Sequence, residues 1–191
     1  LISGQPGVFT SGNDIEDFMA RPPGQGSDGL DSPVFRFMRA LLDCDKPVVA
    51  AVTGAGVGIG TTMLLHCDLV YVSDEARLAM PFVSLGLVPE YASSLLLPAL
   101  LGHVRAAEKL LLGDPFTGEQ AVEAGLVDTI GTYEDAILIT AELAGIAGEP
   151  SLVRERKRQT WFESMTGEVT EQIRAASEEM LTWPVMSFRF T

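Results

Sequence analysis

A glycine-rich run between two apolar stretches is the feature that most constrains this chain. It lies in the segment KPVVAAVTGAGVGIGTTMLLHCD, residues 46–68, where every second residue from Gly54 to Gly60 is glycine. The β-branched residues before the run indicate a buried strand, and the apolar residues after it indicate a helix. The run GAGVGIG itself contains no acid or base. Either its backbone amides perform a function there, or its glycines allow close packing.

The composition indicates a packed globular protein that does not bind nucleic acid. Of the 191 residues, 47% are hydrophobic, and the mean hydropathy is +0.23. A chain of this length and apolar content can form one well-filled core. The net charge of -13 disfavours nucleic acid, because phosphate binding needs a basic surface. An anionic small molecule stays open, since local amide dipoles can hold one against the overall charge.

The sequence also predicts a protein without a membrane span. Every apolar run is broken well before the roughly 20 residues that a membrane helix needs. The N-terminal LISGQPGVF lacks the features of a signal peptide, and the C-terminal RFT differs from an SKL-type address. Cys44 and Cys67 are not in a CxxC spacing, so two reduced, buried thiols are predicted. We therefore expect a cytoplasmic protein by default, with the peroxisome still open.

The order of patterns along the chain predicts an α/β core over residues 1–132 and a helical region over residues 133–191. Strands are predicted before FTSG, at PVVAAVTG, at LVYVSD and at the start of ARLAMPFV, and helices at VFRFMRALLDC, TTMLLHCD, SSLLLPALLG and VRAAEKLLLG, with Gly102 and Gly113 as helix stops. Strands joined by helices favour parallel pairing through right-handed crossovers.

The helical region is predicted to pack on its own core rather than on a partner. Its larger apolar side chains are Trp161, Phe162, Met165, Ile173 and Met180. The basic cluster RERKR at 154–158 is predicted to be a solvated helix face, with anion contact as the alternative.

Several common catalytic motifs do not occur in the sequence. There is no GxSxG elbow and no P-loop, and the only histidines are His66 and His103. His66 lies on an apolar helix face and is predicted to be a hydrogen-bonded core residue, whereas His103 is predicted to cap a helix. Serine–histidine hydrolysis and histidine-ligated metals therefore lose support. The run GAGVGIG lacks the GxGxxG spacing of a dinucleotide site.

Backbone chemistry is the stronger interpretation of the glycine run. A glycine-rich turn from a strand into a helix points amide N–H groups outward, where negative charge is favoured. A second turn of this kind occurs at FTSGND, residues 9–14. One amide from each turn would form an oxyanion hole for a thioester carbonyl that becomes an enolate.

Three motifs in order, FTSGNDI, KPVVAAVTGAGVGIGTTMLLHCDLVYVSDEARLAMPFVSLGLVPE and LLLGDPFTGEQAVEAGLVD, resemble the enoyl-CoA hydratase/isomerase (crotonase) superfamily. The resemblance covers residues 3 to 130. It implies an α/β fold, a crotonase-like β-β-α spiral core with a C-terminal helical tail. It also implies an acyl-CoA thioester as substrate, no further cofactor, no metal, and assembly as a homotrimer or a dimer of trimers.

The resemblance also implies roles for individual residues. The oxyanion-hole amides fall on Asn13 and Ile59. The two glutamates of hydratases fall on Thr62 and Phe82, which disfavours ordinary hydration. The segment PFVSLGLVPEYASSLLLP instead resembles the peroxisomal-type Δ3,Δ2-enoyl-CoA isomerases, whose single catalytic glutamate falls on Glu90.

One carboxylate suffices for isomerisation, because the same base can remove a proton at C2 and return it at C4. Glu90 is predicted to lie in an acyl pocket formed by Phe82, Leu85, Leu87 and Tyr91, where its pKa would be raised. Without the resemblance, Glu90 would be interpreted as a solvated turn residue. Tyr91 stands where the isomerase branch usually has glycine, and we expect it either to narrow the pocket or to alter the acyl chain that is accepted.

The sequence is also compatible with other acyl-CoA enzymes of this fold and with a protein that binds acyl-CoA without catalysis. Family members carry a longer N-terminal segment that usually contacts CoA, so we expect CoA affinity to be affected. A hydratase, a hydrolase or a lyase is possible on the same scaffold. A non-catalytic acyl-CoA-binding homologue is the alternative from a different class. Activity that depends on Glu90 would separate the catalytic from the non-catalytic interpretation.

Overall fold

The computed structural model describes residues 1–14 and 32–146. The strands in this part are β1 (Ile2–Ser3), β2 (Gly7–Thr10), β3 (Val49–Val52), β4 (Gly54–Val57), β5 (Leu69–Val72), β6 (Arg77–Ala79), β7 (Phe116–Thr117) and β8 (Thr129–Ile130). The helices are α1 (Pro33–Leu42), α2 (Ile59–Thr62), α3 (Ser93–Leu101), α4 (His103–Ala107), α5 (Gly118–Glu123) and α6 (Tyr133–Ile146). Helix α2 continues directly as a 3-10 turn over Met63–His66, and α4 continues as a π turn over Glu108–Leu112.

The strands form two four-stranded sheets. The first has the order β1-β3-β5-β8 and is parallel throughout. The second has the order β2-β4-β6-β7, in which only β7 runs antiparallel to its neighbour. Consecutive strands such as β3 and β4 therefore enter different sheets, and helical segments link one pair to the next. This is the repeating β-β-α arrangement predicted for the core.

Strand β3 is buried on both of its faces. Ala50 and Val52 face the main core, whereas Val49 and Ala51 pack with Ala136 of helix α6. A strand covered on both sides needs a continuous apolar sequence rather than an alternating one. The run PVVAAV meets that requirement, and the strand predicted there is confirmed.

The structure corrects the prediction for the glycine run. Residues 54–60 were expected to form a turn, but Gly54–Val57 is strand β4, and the turn is confined to Gly58. The prediction for the cysteines is also wrong in part, because Cys44 and Cys67 are half-buried rather than buried. Gly102 and Gly113 do follow helical segments, as predicted.

Helix α6 packs on the first sheet through Ala136, Ile139 and Leu143, and the division of the chain at residue 132 stays a prediction. The apolar residues of 161–180 and the basic cluster 154–158 lie outside the described residues. Within residues 1–14 and 32–146, no helix has the length and apolar character that crossing a membrane requires.

Candidate functional site

Two strand ends bring the predicted oxyanion-hole residues to the same edge of the second sheet. Strands β2 and β4 are parallel neighbours, with Thr10 opposite Gly56. Parallel neighbours end at the same edge, so the loops that follow them meet there. Asn13 lies in the loop after β2, and Ile59 begins helix α2 just after β4.

The two loops approach each other so closely that only glycine fits at two positions. A Cβ atom on Gly12 would lie 2.8 Å from the carbonyl oxygen of Val57. A Cβ atom on Gly60 would collide with the methyl group of Thr10 and lie 3.1 Å from its carbonyl oxygen. The close-packing interpretation of the glycine run is thus confirmed at Gly60, and a function of the backbone amides stays a prediction.

A mainly apolar cleft of about 530 Å³ opens at this edge, and Asn13 and Ile59 both line it. Its other lining residues are Ile2, Ser3, Phe9, Thr10, Asp14, Ser32, Pro33, Val34, Phe35, Phe37 and Met63. As the first residue of α2, Ile59 has an N–H group outside the hydrogen-bond ladder of that helix. The structure thus brings the two residues together at one cleft, and their binding of an oxyanion stays a prediction.

Glu90 lies in the turn that leads into α3, and its two carboxyl oxygens have different surroundings. Oε1 accepts a hydrogen bond from the hydroxyl of Thr62 at 2.5 Å. Oε2 is buried and has no hydrogen-bond partner in the part of the chain that the structure describes. Although some of the Glu90 side chain reaches the surface, the burial of the carboxyl atoms governs the titration.

The pKa of Glu90 is raised from 4.5 to about 7. Burial raises it, because the charged form loses water, and the hydrogen bond from Thr62 opposes the shift by favouring the charged form. A carboxyl group with this pKa exists in both protonation states near neutral pH. It can therefore act as a base in one step and as an acid in the next.

The turn at Glu90 has an unusual backbone. Tyr91 and Ala92 have φ angles of 55° and 56°, the left-handed region that side chains other than glycine seldom adopt. The carbonyl oxygen of Glu90 accepts hydrogen bonds from the N–H of Ser93 at 3.0 Å and from its hydroxyl at 2.6 Å. These bonds close the turn from which the Glu90 side chain projects.

His66 supports the same turn from the other side. Its Nε2 donates to the carbonyl oxygen of Tyr91 at 2.9 Å, and its ring stacks on the Tyr91 ring with centroids 3.8 Å apart. Because a carbonyl accepts this bond, Nε2 carries the proton. Burial lowers the pKa of His66 from 6.5 to about 4, so the ring is neutral. The predicted hydrogen bond of His66 is thus confirmed, and the residue itself is half-buried at the edge of the core.

The second histidine prediction is wrong. His103 is the first residue of α4, and Gly102 occupies the capping position without a side-chain hydrogen bond. The preceding helix ends at this glycine, so the cap is formed by backbone geometry rather than by the imidazole.

The four residues predicted to form an acyl pocket have different locations. Phe82 and Tyr91 are buried in the main core, Leu87 packs against that core, and Leu85 is 54% exposed. None of the four lines the cleft that Asn13 and Ile59 share. Their contact with an acyl chain stays a prediction.

Sequence reasoning missed the part that Thr62 plays. It noted Thr62 only as the position where hydratases carry a glutamate. The hydroxyl of Thr62 in fact contacts the carboxyl group of Glu90, which lies 28 positions later in the chain. A buried hydroxyl next to a candidate acid would have been a usable signal, but the burial of Thr62 is not evident from its sequence neighbours.

Comparison with solved structures places the fold among known proteins. The structure of OdaA from Pseudomonas aeruginosa superposes with a TM-score of 0.80 at 47% identity, over 95% of this chain and 74% of that chain. The crotonase-like spiral predicted for the core is confirmed.

Comparison with known sequences identifies the family. The family model described as Enoyl-CoA hydratase/isomerase matches residues 1–178. The chain is 36% identical to enoyl-CoA delta isomerase 2 of Rattus norvegicus over 142 residues, which are 72% of this chain and 36% of that protein. It is 30% identical to a protein of Bacillus subtilis named probable enoyl-CoA hydratase over 139 residues, which are 73% of this chain and 54% of that protein. The chain belongs to the enoyl-CoA hydratase/isomerase family. It spans about a third to a half of the length of these two relatives.

Proposed function

We propose that this protein is an acyl-CoA double-bond isomerase that moves the double bond of a 3-enoyl-CoA to the 2-position. The observation that carries the proposal is the buried carboxyl group of Glu90, whose pKa is raised to about 7 and which accepts a hydrogen bond from the hydroxyl of Thr62. The similarity to enoyl-CoA delta isomerase 2 supports the same conclusion.

The proposed reaction uses one proton and no water. The carboxylate of Glu90 removes a proton from C2 of the 3-enoyl thioester. The electron pair of that C–H bond forms the dienolate, whose negative charge lies on the thioester oxygen. The double bond then forms between C2 and C3 as the protonated Glu90 returns the proton to C4. The amides of Asn13 and Ile59 would stabilise the charge on the thioester oxygen.

The geometry of α2 supports the proposal that Glu90 is the base and that the amide of Ile59 binds the thioester oxygen. Thr62 lies three residues beyond Ile59, which corresponds to about 4.5 Å along the helix axis. Thr62, whose hydroxyl contacts the Glu90 carboxyl group, is thus about one helical turn beyond the residue whose amide lies at the cleft. Since Oε1 accepts the Thr62 hydrogen bond, Oε2 is the oxygen available to carry the proton.

Hydration through two glutamates is disfavoured by the residues at the corresponding positions. Thr62 is a buried hydroxyl, and Phe82 is a buried aromatic side chain in the core. Neither gains or loses a proton at neutral pH, so neither activates water as a carboxylate does.

The acyl-CoA thioester is proposed as the substrate, and no further cofactor is needed for this reaction. A homotrimer or a dimer of trimers is the assembly that we propose. The exposed apolar side chains of Val104, Leu111 and Leu112 offer surface for such contacts. Sedimentation equilibrium tests the assembly directly.

The experiment that tests the function compares the native protein with Glu90→Gln on trans-3-hexenoyl-CoA and crotonyl-CoA. Glu75→Gln is the matched control, because Glu75 is an exposed glutamate in the turn before β6. We expect the native protein and the control to convert the 3-enoyl ester, and Glu90→Gln to lose this activity.

Two results would contradict the proposal. Hydration of crotonyl-CoA that survives Glu90→Gln would mean that another group is the acid or base. Binding of both esters without any conversion would favour the acyl-CoA-binding alternative.

A further inference from the structure

The residue that follows Glu90 has a backbone conformation that its side chain opposes. Tyr91 has a φ angle of 55°, and Ala92 continues the left-handed conformation with a φ angle of 56°. For residues with a Cβ atom this conformation is costly, and it persists only where the surrounding contacts enforce it. Something in the structure must therefore hold Tyr91 in place.

Three contacts at different parts of Tyr91 provide that restraint. Its hydroxyl donates to the carbonyl oxygen of Met38 in α1 at 2.7 Å, across 53 positions of sequence. Its ring stacks on His66, and its carbonyl oxygen accepts from Nε2 of the same histidine at 2.9 Å. The side chain is buried, with 6% of its surface exposed. Tyr91 is thus fixed at its hydroxyl, its ring and its backbone.

The restraint bears directly on Glu90, because the two residues share a peptide bond. The turn is closed on its far side by Ser93, which donates twice to the carbonyl oxygen of Glu90. The carboxyl group of Glu90 is held only by the Thr62 hydroxyl among the residues described here. Its location therefore depends on the direction in which the turn projects the side chain.

We infer that Tyr91 is a positioning residue for Glu90: its anchored side chain holds the left-handed turn that places the Glu90 carboxyl group in the buried site beside Thr62. The inference rests on the proposed function of Glu90 as the proton shuttle. His66 contributes to the same restraint, because its ring stacks on Tyr91 and its Nε2–H bonds the Tyr91 carbonyl oxygen. A glycine at this position would adopt the backbone angle freely but would supply neither the ring nor the hydroxyl.

The test uses Tyr91→Gly and Tyr91→Phe in the full chain, with Tyr133→Phe as the matched control. Tyr133 is partly exposed at the start of α6 and has no part in the site. Kinetics on trans-3-hexenoyl-CoA give kcat and KM separately as functions of pH. Carbon-13 NMR of the glutamate carboxyl groups, with the Glu90 signal assigned by its loss in Glu90→Gln, follows the titration of Glu90 without any need for activity.

We expect Tyr91→Gly to lower kcat on the order of 100-fold with little change in KM, which is the cost of displacing a reacting group by about 1 Å. The midpoint of the Glu90 titration should fall from about 7 toward 4.5, since water reaches the displaced carboxyl group. Tyr91→Phe keeps the ring and loses only the bond to Met38, so its effects should be smaller and in the same direction. Tyr133→Phe should match the native protein.

A folded Tyr91→Gly with unchanged kcat and an unchanged Glu90 titration would overturn the inference. If that variant does not fold, as judged by circular dichroism, Tyr91→Phe decides the question on the same two measurements. If the native protein does not isomerise the ester, the proposed function fails. The NMR titration of Glu90 in the Tyr91 variants then still decides whether Tyr91 positions the carboxyl group.

Discussion

The hydroxyl of Thr62 lies 2.5 Å from Oε1 of Glu90, and this contact joins helix α2 to the turn before α3. Thr62 has no exposed surface, so its hydroxyl is shielded from water. Hydrogen bonds to a charged acceptor are short and strong in such surroundings. The contact favours the charged form of the Glu90 carboxyl group, and in the proposed reaction it leaves Oε2 free to take up the proton.

Removing the Thr62 hydroxyl should make Glu90 a weaker acid. In Thr62→Val the shape of the side chain is kept, but the hydrogen bond that lowers the pKa of Glu90 is lost. The pKa should therefore rise above about 7, and less of the base form exists at pH 7. We expect isomerase activity at pH 7 to fall several-fold, with partial recovery as the pH is raised to 8.5. Thr62→Ser retains the hydroxyl and serves as the control; equal losses in both variants would contradict the role of the hydrogen bond.

The rate of isomerisation should depend on pH through Glu90 itself. Because the base form of Glu90 would start the proposed reaction, kcat/KM should rise with pH and reach half of its maximum near pH 7. A carboxyl group with the ordinary pKa of 4.5 would instead give a flat profile between pH 6 and 8. Initial rates from pH 5.5 to 9 measure the midpoint. A midpoint below pH 5.5 would mean that Glu90 is not the base or is not buried during catalysis.

Two buried groups should affect the free energy of unfolding in opposite ways as the pH changes. The pKa of Glu90 is raised in the folded state, so its stabilisation is present below pH 4.5 and is lost as the pH rises through 7. The pKa of His66 is lowered, so its stabilisation is present above pH 6.5 and is lost as the pH falls through 4. Each effect is on the order of 3 kcal/mol. Between pH 4.5 and 6.5, a rise in pH weakens the contribution of Glu90 and strengthens that of His66. These two changes in the free energy of unfolding should largely cancel in the native protein.

Urea unfolding of the native protein, Glu90→Gln and His66→Gln at pH 4.5, 5.5, 7 and 8 separates these effects. The gain in stability of Glu90→Gln over the native protein should grow as the pH rises from 4.5 to 7. The gain in stability of His66→Gln over the native protein should grow as the pH falls from 6.5 to 4.5. Parallel pH profiles for all three proteins would show that neither group changes its pKa on folding.

The close approach of the two cleft loops should be intolerant of a single methyl group. Gly60→Ala places a Cβ atom against the methyl group of Thr10 and 3.1 Å from its carbonyl oxygen. We expect a loss of about 1–3 kcal/mol in the free energy of unfolding. Activity should fall as well, because the loops that carry Asn13 and Ile59 are pushed apart.

The matched variant for this prediction is Thr10→Ser combined with Gly60→Ala. Serine lacks the methyl group but keeps the hydroxyl oxygen, which accepts a hydrogen bond from the N–H of Gly12 at 3.2 Å. The double variant should recover part of the stability and of the activity in urea unfolding and in the 3-enoyl ester assay. If it is no better than Gly60→Ala alone, the methyl contact is not the cause.

Local sequence was sufficient for most of the core. The apolar run before the glycines predicted β3, because a strand buried on both faces needs continuous apolar residues. The same reasoning failed for β4, since Gly54–Val57 has no strand pattern of its own. Its strand conformation depends on pairing with β2 and β6, which lie elsewhere in the sequence.

The sequence by itself determined the family and the α/β class, because motifs and short-range patterns are carried by neighbouring residues. The same motifs predict Asn13, Ile59 and Glu90 as site residues. Only the tertiary structure decided that Thr62 bonds Glu90 and that Tyr91 is anchored to Met38 and His66, across 28, 53 and 25 positions of chain. The burial that raises the pKa of Glu90 was decided in the same way. A side chain loses its water only when distant segments pack around it, so burial and long-range hydrogen bonds are properties of the folded chain rather than of any local stretch.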